Sequence, residues 1–316
     1  MQRVFIDGQA GTTGLEIAGR LAARRDLRLL VIDDALRKDT QRRAALLNEA
    51  DVVILCLPDA AAREAVALIE NPRTRVLDAS TAHRVASDWT YGLPELVDGQ
   101  RDAIAASSRV ANPGCYATGF ILTVRPLIEA GLLAPSKRIS AFALSGYSGG
   151  GRTMIERYRA AQTQGADPVL PPMTYGLDLA HKHVPEMTRH AGCEHAPLFS
   201  PIVAHYYKGM LVHVPLDGDD LGGAGAAHVH EALRVRYANE RCIRVLPLGA
   251  KEALDGGYLD PTRANDTNRI DMMVFGDAER VLVVTRYDNL GKGAAGAAVQ
   301  NLNLMLGAPE LTGLCV

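Results

Sequence analysis

Over the first 110 residues, short apolar runs alternate with stretches of helical periodicity. Residues 4–6, 29–32, 52–57 and 76–77 are continuously apolar rather than alternating, as expected of strands covered on both faces in a parallel sheet. Between them, 15–24, 40–48 and 60–70 place apolar residues at helical spacing. The strand–helix order predicts a doubly wound α/β arrangement. A further strand is expected to end near Asn112, and a helix to run from 115 to 130. From about residue 139 the pattern changes. Runs at 139–144, 199–206, 211–214, 243–246, 270–275 and 281–287 read as strands, with helices at 152–164 and 226–237. This predicts an α+β domain with a large mixed or antiparallel sheet. The stretch 164–175, with Pro168, Pro171 and Pro172, reads as a long covering loop. A small-residue helix at 293–306 is expected to return to the first domain.

With 316 residues, the chain exceeds what one core usually serves, in line with two domains. Lys and Arg number 34 against 36 Asp and Glu, a net charge of −2, so no basic field gathers nucleic acid. No apolar run approaches the roughly 18–20 residues of a bilayer span, and the first residues lack a signal-peptide layout. Five unevenly spaced cysteines make no disulfide framework. The expectation is a reduced, cytoplasmic compartment in which a well-placed thiol does chemistry.

Two segments stand out. After the first strand comes Asp7-Gly8-Gln9-Ala10-Gly11-Thr12-Thr13-Gly14, with the spacing G-x-x-G-x-x-G. Here Gly8 permits a tight turn, Gly11 lets a pyrophosphate approach the backbone, and Gly14 allows close packing of helix on strand. The second strand leads into Asp33-Asp34 and then Arg37-Lys38. An acid there suits a free ribose hydroxyl and a base suits a 2′-phosphate, so NAD and NADP both remain open. The second segment, Asn112-Pro113-Gly114-Cys115-Tyr116-Ala117-Thr118-Gly119, places a thiol where a turn becomes a helix. The positive end of the helix dipole favours the thiolate there, which suits covalent catalysis through a thioester that a hydride then reduces. Cys56, Cys193, Cys242 and Cys315 are read as buried structural residues. A histidine is expected as acid/base partner, and His181-Lys182-His183-Val184-Pro185-Glu186 offers two. His190, Cys193 and His195 add ligand types without recognisable zinc spacing, so no metal is expected.

These motifs, together with Tyr91-Gly92-Leu93-Pro94-Glu95-Leu96, Ser145-Gly146-Tyr147-Ser148-Gly149-Gly150-Gly151 and Asn289-Leu290-Gly291-Lys292-Gly293-Ala294-Ala295-Gly296, resemble the N-acetyl-gamma-glutamyl-phosphate reductase family in its shorter subtype. The resemblance covers nearly the whole chain. It implies a doubly wound (Rossmann) dinucleotide-binding domain at 1–112 with 290–316, and a catalytic and dimerisation domain at 113–289. By the same match Cys115 is the nucleophile and His181 the acid/base, with Glu186 orienting the imidazole. Gly8, Gly11, Thr12, Thr13, Gly14, Arg37, Ser80 and Asn289 fall to NADP. Arg84, Asn112, Ser148 and His183 fall to the acyl-phosphate substrate, with His183 a rival to His181. The longer subtype carries Ser-Arg where Asp33-Asp34 stands here, and Arg where Lys182 stands. A homo-oligomer, dimer or tetramer, is expected, because a broad second sheet would otherwise leave apolar surface exposed. The competing readings are a phosphorylating dehydrogenase for aspartyl phosphate and a non-catalytic dinucleotide-binding module.

Overall fold

The computed structural model describes residues 1–163 and 170–316. Pro168 and the 164–169 part of the expected covering loop lie outside the described residues. The chain divides into two compact units, Met1–Gly114 with Ala294–Leu314, and Cys115–Gly293 with Cys315–Val316.

In the first unit the elements are β1 (Gln2–Asp7), α1 (Thr12–Leu21), β2 (Leu27–Leu30), α2 (Thr40–Glu49), β3 (Val52–Leu55), α3 (Asp59–Ala67), β4 (Arg75–Asp78), β5 (Thr90–Tyr91), α4 (Gln100–Ala106) and β6 (Arg109–Ala111). A C-terminal helix, Gly296–Met305, completes it. The six strands are parallel in the order β2-β1-β3-β4-β6-β5. Because side chains alternate across a strand, the continuous apolar runs divide between two cores. Val4, Ile6, Val52, Ile54, Leu77 and Val110 meet Ile17 and Leu21 of α1 and Val299 and Leu302 of the C-terminal helix. Phe5, Leu30, Val53, Leu55 and Val76 meet Leu46 and Leu47 of α2 and Ala62 and Ala65 of α3.

Some expected bounds move. The second strand sits at 27–30 rather than 29–32, because pairing begins at Gln2 with Leu27 and Val31 is exposed. The third ends at Leu55, which puts Cys56 just past the strand instead of inside it. The helix expected to reach residue 70 stops at Ala67, and Asn48 Oδ1 accepts the following Glu70 and Asn71 N–H groups at 2.7 and 2.8 Å.

The second unit contains α5 (Cys115–Glu129), β7 (Ser140–Gly146), α6 (Gly151–Thr163), β8 (Met173–Thr174), α7 (Val184–Ala191), β9 (Leu198–Ala204), β10 (Met210–Asp217), α8 (Ala226–Arg236), β11 (Ile243–Val245), the small hairpin β12 (Leu254–Asp255) and β13 (Tyr258–Leu259), then β14 (Ile270–Gly276) and β15 (Arg280–Tyr287). Seven strands form a mixed sheet in the order β11-β14-β15-β10-β7-β9-β8. Helices α5 and α8 pack on one face. Helix α5 buries residues from Tyr116 to Leu127 on nearly every side, the pattern of a helix inside a core. On the opposite face Leu211, Met273 and Val284 are covered by Ala250, Ala253 and neighbours. Phe142 and Leu198 remain exposed there, Phe142 stacked on His213 at 4.4 Å. No helix among the described residues is long and apolar enough to cross a membrane.

Candidate active site

In the first unit, strand order reverses about β1, and the crevice beyond the carboxyl ends of β1 and β3 is where such sheets take ligands. The glycine turn lies there. Gly8 has φ +90°, and a Cβ on it would lie 2.3 Å from the Cys56 carbonyl oxygen. A Cβ on Gly14 would lie 2.6 Å from the Gly8 oxygen, so glycine is needed for α1 to seat on the turn. Gly11 is different. Its nearest contact would be an ordinary 3.4 Å, and it is the N-cap of α1, with no side chain closing the helix end and no acid in the first turn. The Gly11 N–H is spent on Gly8 O at 3.0 Å, but the protein does not crowd this glycine, which leaves the N–H groups of Thr12 and Thr13 suited to an incoming pyrophosphate.

An open cleft of ≈ 900 Å³ continues from the turn past Asp33, Asp34, Arg37, Lys38 and Arg43. Arg43 is engaged, its Nη2 on the buried Asp7 at 2.7 Å. Arg37 and Lys38 are exposed. Among the described residues they show no partner. An uncrowded helix N-terminus with two available cations farther along the cleft fits a phosphorylated dinucleotide.

Ser80, Arg84 and Asn112 belong to the same unit. The Ser80 hydroxyl donates to Asp78 Oδ2 at 2.7 Å, as His83 Nδ1 also approaches it at 2.7 Å, and His83 stacks on Trp89. Arg84 is buried, donating from Nε to the Asn112 carbonyl at 2.9 Å and from Nη2 to Ala79 O at 3.2 Å. The Asn112 side chain donates to Ala294 O at 3.1 Å and accepts from Asn301 Nδ2 at 3.0 Å. Asn301 donates also to Gly92 O at 2.7 Å. Arg84 and Asn112 are thus brought together, and both brace the turn that runs into Cys115.

Cys115, His181, His183, Ser148, Glu186 and Asn289 fall in the second unit. Cys115 is the first residue of α5, partly exposed, with no acid in the first turn. Gly293 lies beside it, where a Cβ would come within 3.0 Å of the Cys115 Cβ. As expected of a loop leading into a short helix start, His183 caps α7, Pro185 sits in its first turn, and Glu186 is buried. His181 Nδ1 accepts the His183 main-chain N–H at 3.1 Å, so a neutral ring carries its proton on Nε2. The two imidazoles meet edge-on at 4.8 Å.

Tyr116 joins this pair to the nucleophile's helix. Its ring lies 5.6 Å from His181 and 5.8 Å from His183, with Phe199 closing the cluster. Tyr175 donates to the Tyr116 hydroxyl at 3.0 Å and faces His181 at 5.7 Å. Burial raises both phenols above their ordinary range, so they stay protonated. Tyr175 escaped the sequence reading because its role depends on a partner 59 positions away. Ser148 and Asn289 pair with each other, Asn289 Nδ2 donating to Ser148 Oγ at 3.0 Å while Oδ1 accepts from Gly209 N at 2.9 Å.

Other thiols differ in setting. Burial, then the charges of Asp78 and Asp7, push Cys56 up to about 12, and burial pushes Cys193 up to about 11. Of the four thiols expected to be buried, Cys242 is; Cys56 and Cys193 are partly exposed, as Cys115 is, and Cys315 is exposed.

Comparison with known proteins agrees with this layout. The family described as semialdehyde dehydrogenase, NAD binding domain, matches residues 29–106, and semialdehyde dehydrogenase, dimerisation domain, matches 115–289. An N-acetyl-gamma-glutamyl-phosphate reductase 2 of Nostoc sp. is 49% identical over 99% of both chains. An N-acetyl-gamma-glutamyl-phosphate reductase of Burkholderia cenocepacia is 50% identical over 96% of this chain and 97% of its own. In fold, aspartate semialdehyde dehydrogenase II of Vibrio cholerae aligns over 97% of this chain and 98% of its own, with TM-score 0.71 at 15% identity. Half-identity along the full length, on top of this fold, decides the relationship: the chain belongs to the N-acetyl-gamma-glutamyl-phosphate reductase family.

Proposed function

We propose that the chain reduces N-acetyl-L-glutamyl 5-phosphate to N-acetyl-L-glutamate 5-semialdehyde and phosphate with NADPH, a step of arginine biosynthesis, through a thioester on Cys115. The observation that carries the route is a partly exposed thiol opening a helix whose first turn holds no acid, in the same unit as the His181–His183 pair gathered around Tyr116. The Cys115 thiolate attacks the acyl carbon. His181 holds the proton released by the thiol and gives it to the departing phosphate oxygen, with Glu186 and His183 fixing the imidazole at the start of α7. When bound, NADPH supplies the hydride that reduces the acyl group. N–H groups in the first turn of α5 then stabilise the oxyanion, which collapses to aldehyde and regenerated thiolate. One such donor is worth about 10²–10³ in rate.

Gly8, Gly11, Thr12, Thr13 and Gly14 are assigned to the cofactor pyrophosphate, Arg37 to its 2′-phosphate, and Ser80 and Asn289 to the nicotinamide end. Arg84, Asn112 and Ser148 are assigned to the substrate side, the first two acting through the turn they brace. Cys115→Ser is expected to fold and bind NADPH yet lose nearly all turnover, while His181→Asn loses about 10²–10⁴ in kcat. Near-normal turnover of Cys115→Ser in a steady-state assay would end the covalent reading. Relatives of half-identity named for the acetylglutamyl reaction favour it over an aspartyl phosphate. A non-catalytic module would show Cys115 no more reactive to alkylation than Cys193.

The segment 115–289 matches a dimerisation domain, and the partner proposed is a second copy of this chain. The exposed apolar part of the sheet, around Phe142 and Leu198, is the surface assigned to it, in a dimer or tetramer working in the cytoplasm.

A further inference from the structure

Tyr287, the last residue of β15, is fully buried, and its main chain is fixed by pairing with Met210 of β10 inside the sheet. Its hydroxyl donates to the carbonyl oxygen of Cys115 at 2.6 Å and accepts the N–H of Gly119 at 3.1 Å. Those two groups are the acceptor and donor of an i→i+4 pair in the first turn of α5. A side chain inserted at such a pair widens the turn and fixes its ends from outside the helix. Space for the insertion is made by Gly119. A Cβ there would lie 2.4 Å from Thr285 Oγ1 and 2.7 Å from the Tyr287 hydroxyl.

We propose that Tyr287 is a positioning residue for Cys115. Its phenol bridges the first-turn carbonyl of Cys115 and N–H of Gly119 and ties the nucleophile's main chain to a central strand of the sheet. The thiol direction relative to the N-terminal N–H groups of α5 is then set by β15 rather than by the helix alone. Burial raises the phenol far above its ordinary range, so it remains a donor at every working pH. Without the hydroxyl the tie to β15 is lost, and the Gly119 N–H and Cys115 carbonyl are left to each other alone. The turn tightens, and the sulfur leaves the orientation in which the helix end favours its ionised form.

The inference rests on Cys115 as nucleophile, and a test by alkylation does not require turnover. Tyr287→Phe keeps the ring. With iodoacetamide, read at Cys115 by mass spectrometry across pH, its midpoint is expected to rise by about half a pH unit or more, from weaker stabilisation of the thiolate. In parallel kcat is expected to fall about 10- to 100-fold through misplacement of the sulfur, with KM and NADPH affinity little changed. Thr285→Val, which removes a neighbouring buried hydroxyl without a hydrogen-bond partner among the described residues, is expected to leave the profile in place. Gly119→Ala pushes the phenol aside and is expected to reproduce the Tyr287→Phe signature. It carries the test if Tyr287→Phe does not fold. A wild-type alkylation profile in Tyr287→Phe, or an equal shift in Thr285→Val, overturns the proposal. A fully active Cys115→Ser overturns instead the reading on which it rests.

Discussion

Arg37 and Lys38 stand exposed in the cleft that runs on from the glycine turn, while Arg43 beside them is held by Asp7. A charge-assisted hydrogen bond to phosphate contributes about 1.5–3 kcal/mol. Arg37→Ala is therefore expected to weaken NADPH binding about 10- to 100-fold by calorimetry and to leave NADH binding within about twofold. Equal losses for both cofactors would remove Arg37 from the 2′-phosphate. At this scale the sequence was informative where the chemistry is local. Cys115 declared itself through Pro113 and Gly114, and the three glycines through their spacing. Asn301 did not, because an amide in an apolar helix acquires meaning only from Gly92 and Asn112, which it reaches across 209 and 189 positions. Arg84 read as a phosphate fork, but two of its donors are spent on carbonyls.

Strand β10 gives an example at the scale of the element. Its alternation puts Val212 and Val214 into the helix-covered core and turns His213 to the other face, against Phe142. Burial lowers the His213 imidazole to about 4. An unfolded chain protonates this residue near 6.5. The folded state therefore binds fewer protons between those values, and stability falls as pH drops through the window, by at most about 1.4 kcal/mol per unit. His213→Leu is expected to lose less stability than wild type between pH 7 and 4.5 in urea unfolding, and an unchanged difference would contradict it. Elements with strong periodicity were legible in advance. The two-residue strand Thr90–Tyr91 and the helix Gln100–Ala106 were not, since β5 exists through its pairing with β6 and α4 buries only Gln100 and Ile104. The start of α7 was legible at 181–186, where proline suits a first turn, but its extent to Ala191 was not.

For the whole molecule, the exposed Phe142–Leu198 region is the test of assembly. Phe142→Lys places a cation on an apolar face and is expected to shift the protein toward monomer in sedimentation at micromolar concentration. An unchanged oligomer would locate the interface elsewhere. The alternation of helices with strands in the first 110 residues conveyed the two-unit plan. The order of strands in the second sheet could not be read in the same way, because β11 pairs with β14 and β7 with β9 in parallel across long intervening stretches.

The C-terminal helix completes one of the two cores of the first sheet, through Ala298, Val299, Leu302 and Met305. A ribosome therefore releases β1 to β6 long before the residues that shield one side of them. During synthesis that side has only α1 and α4 over it while some 180 further residues emerge. Closure of this core is therefore a late event, and until the C-terminal helix docks, apolar strand surface stays open to wrong partners.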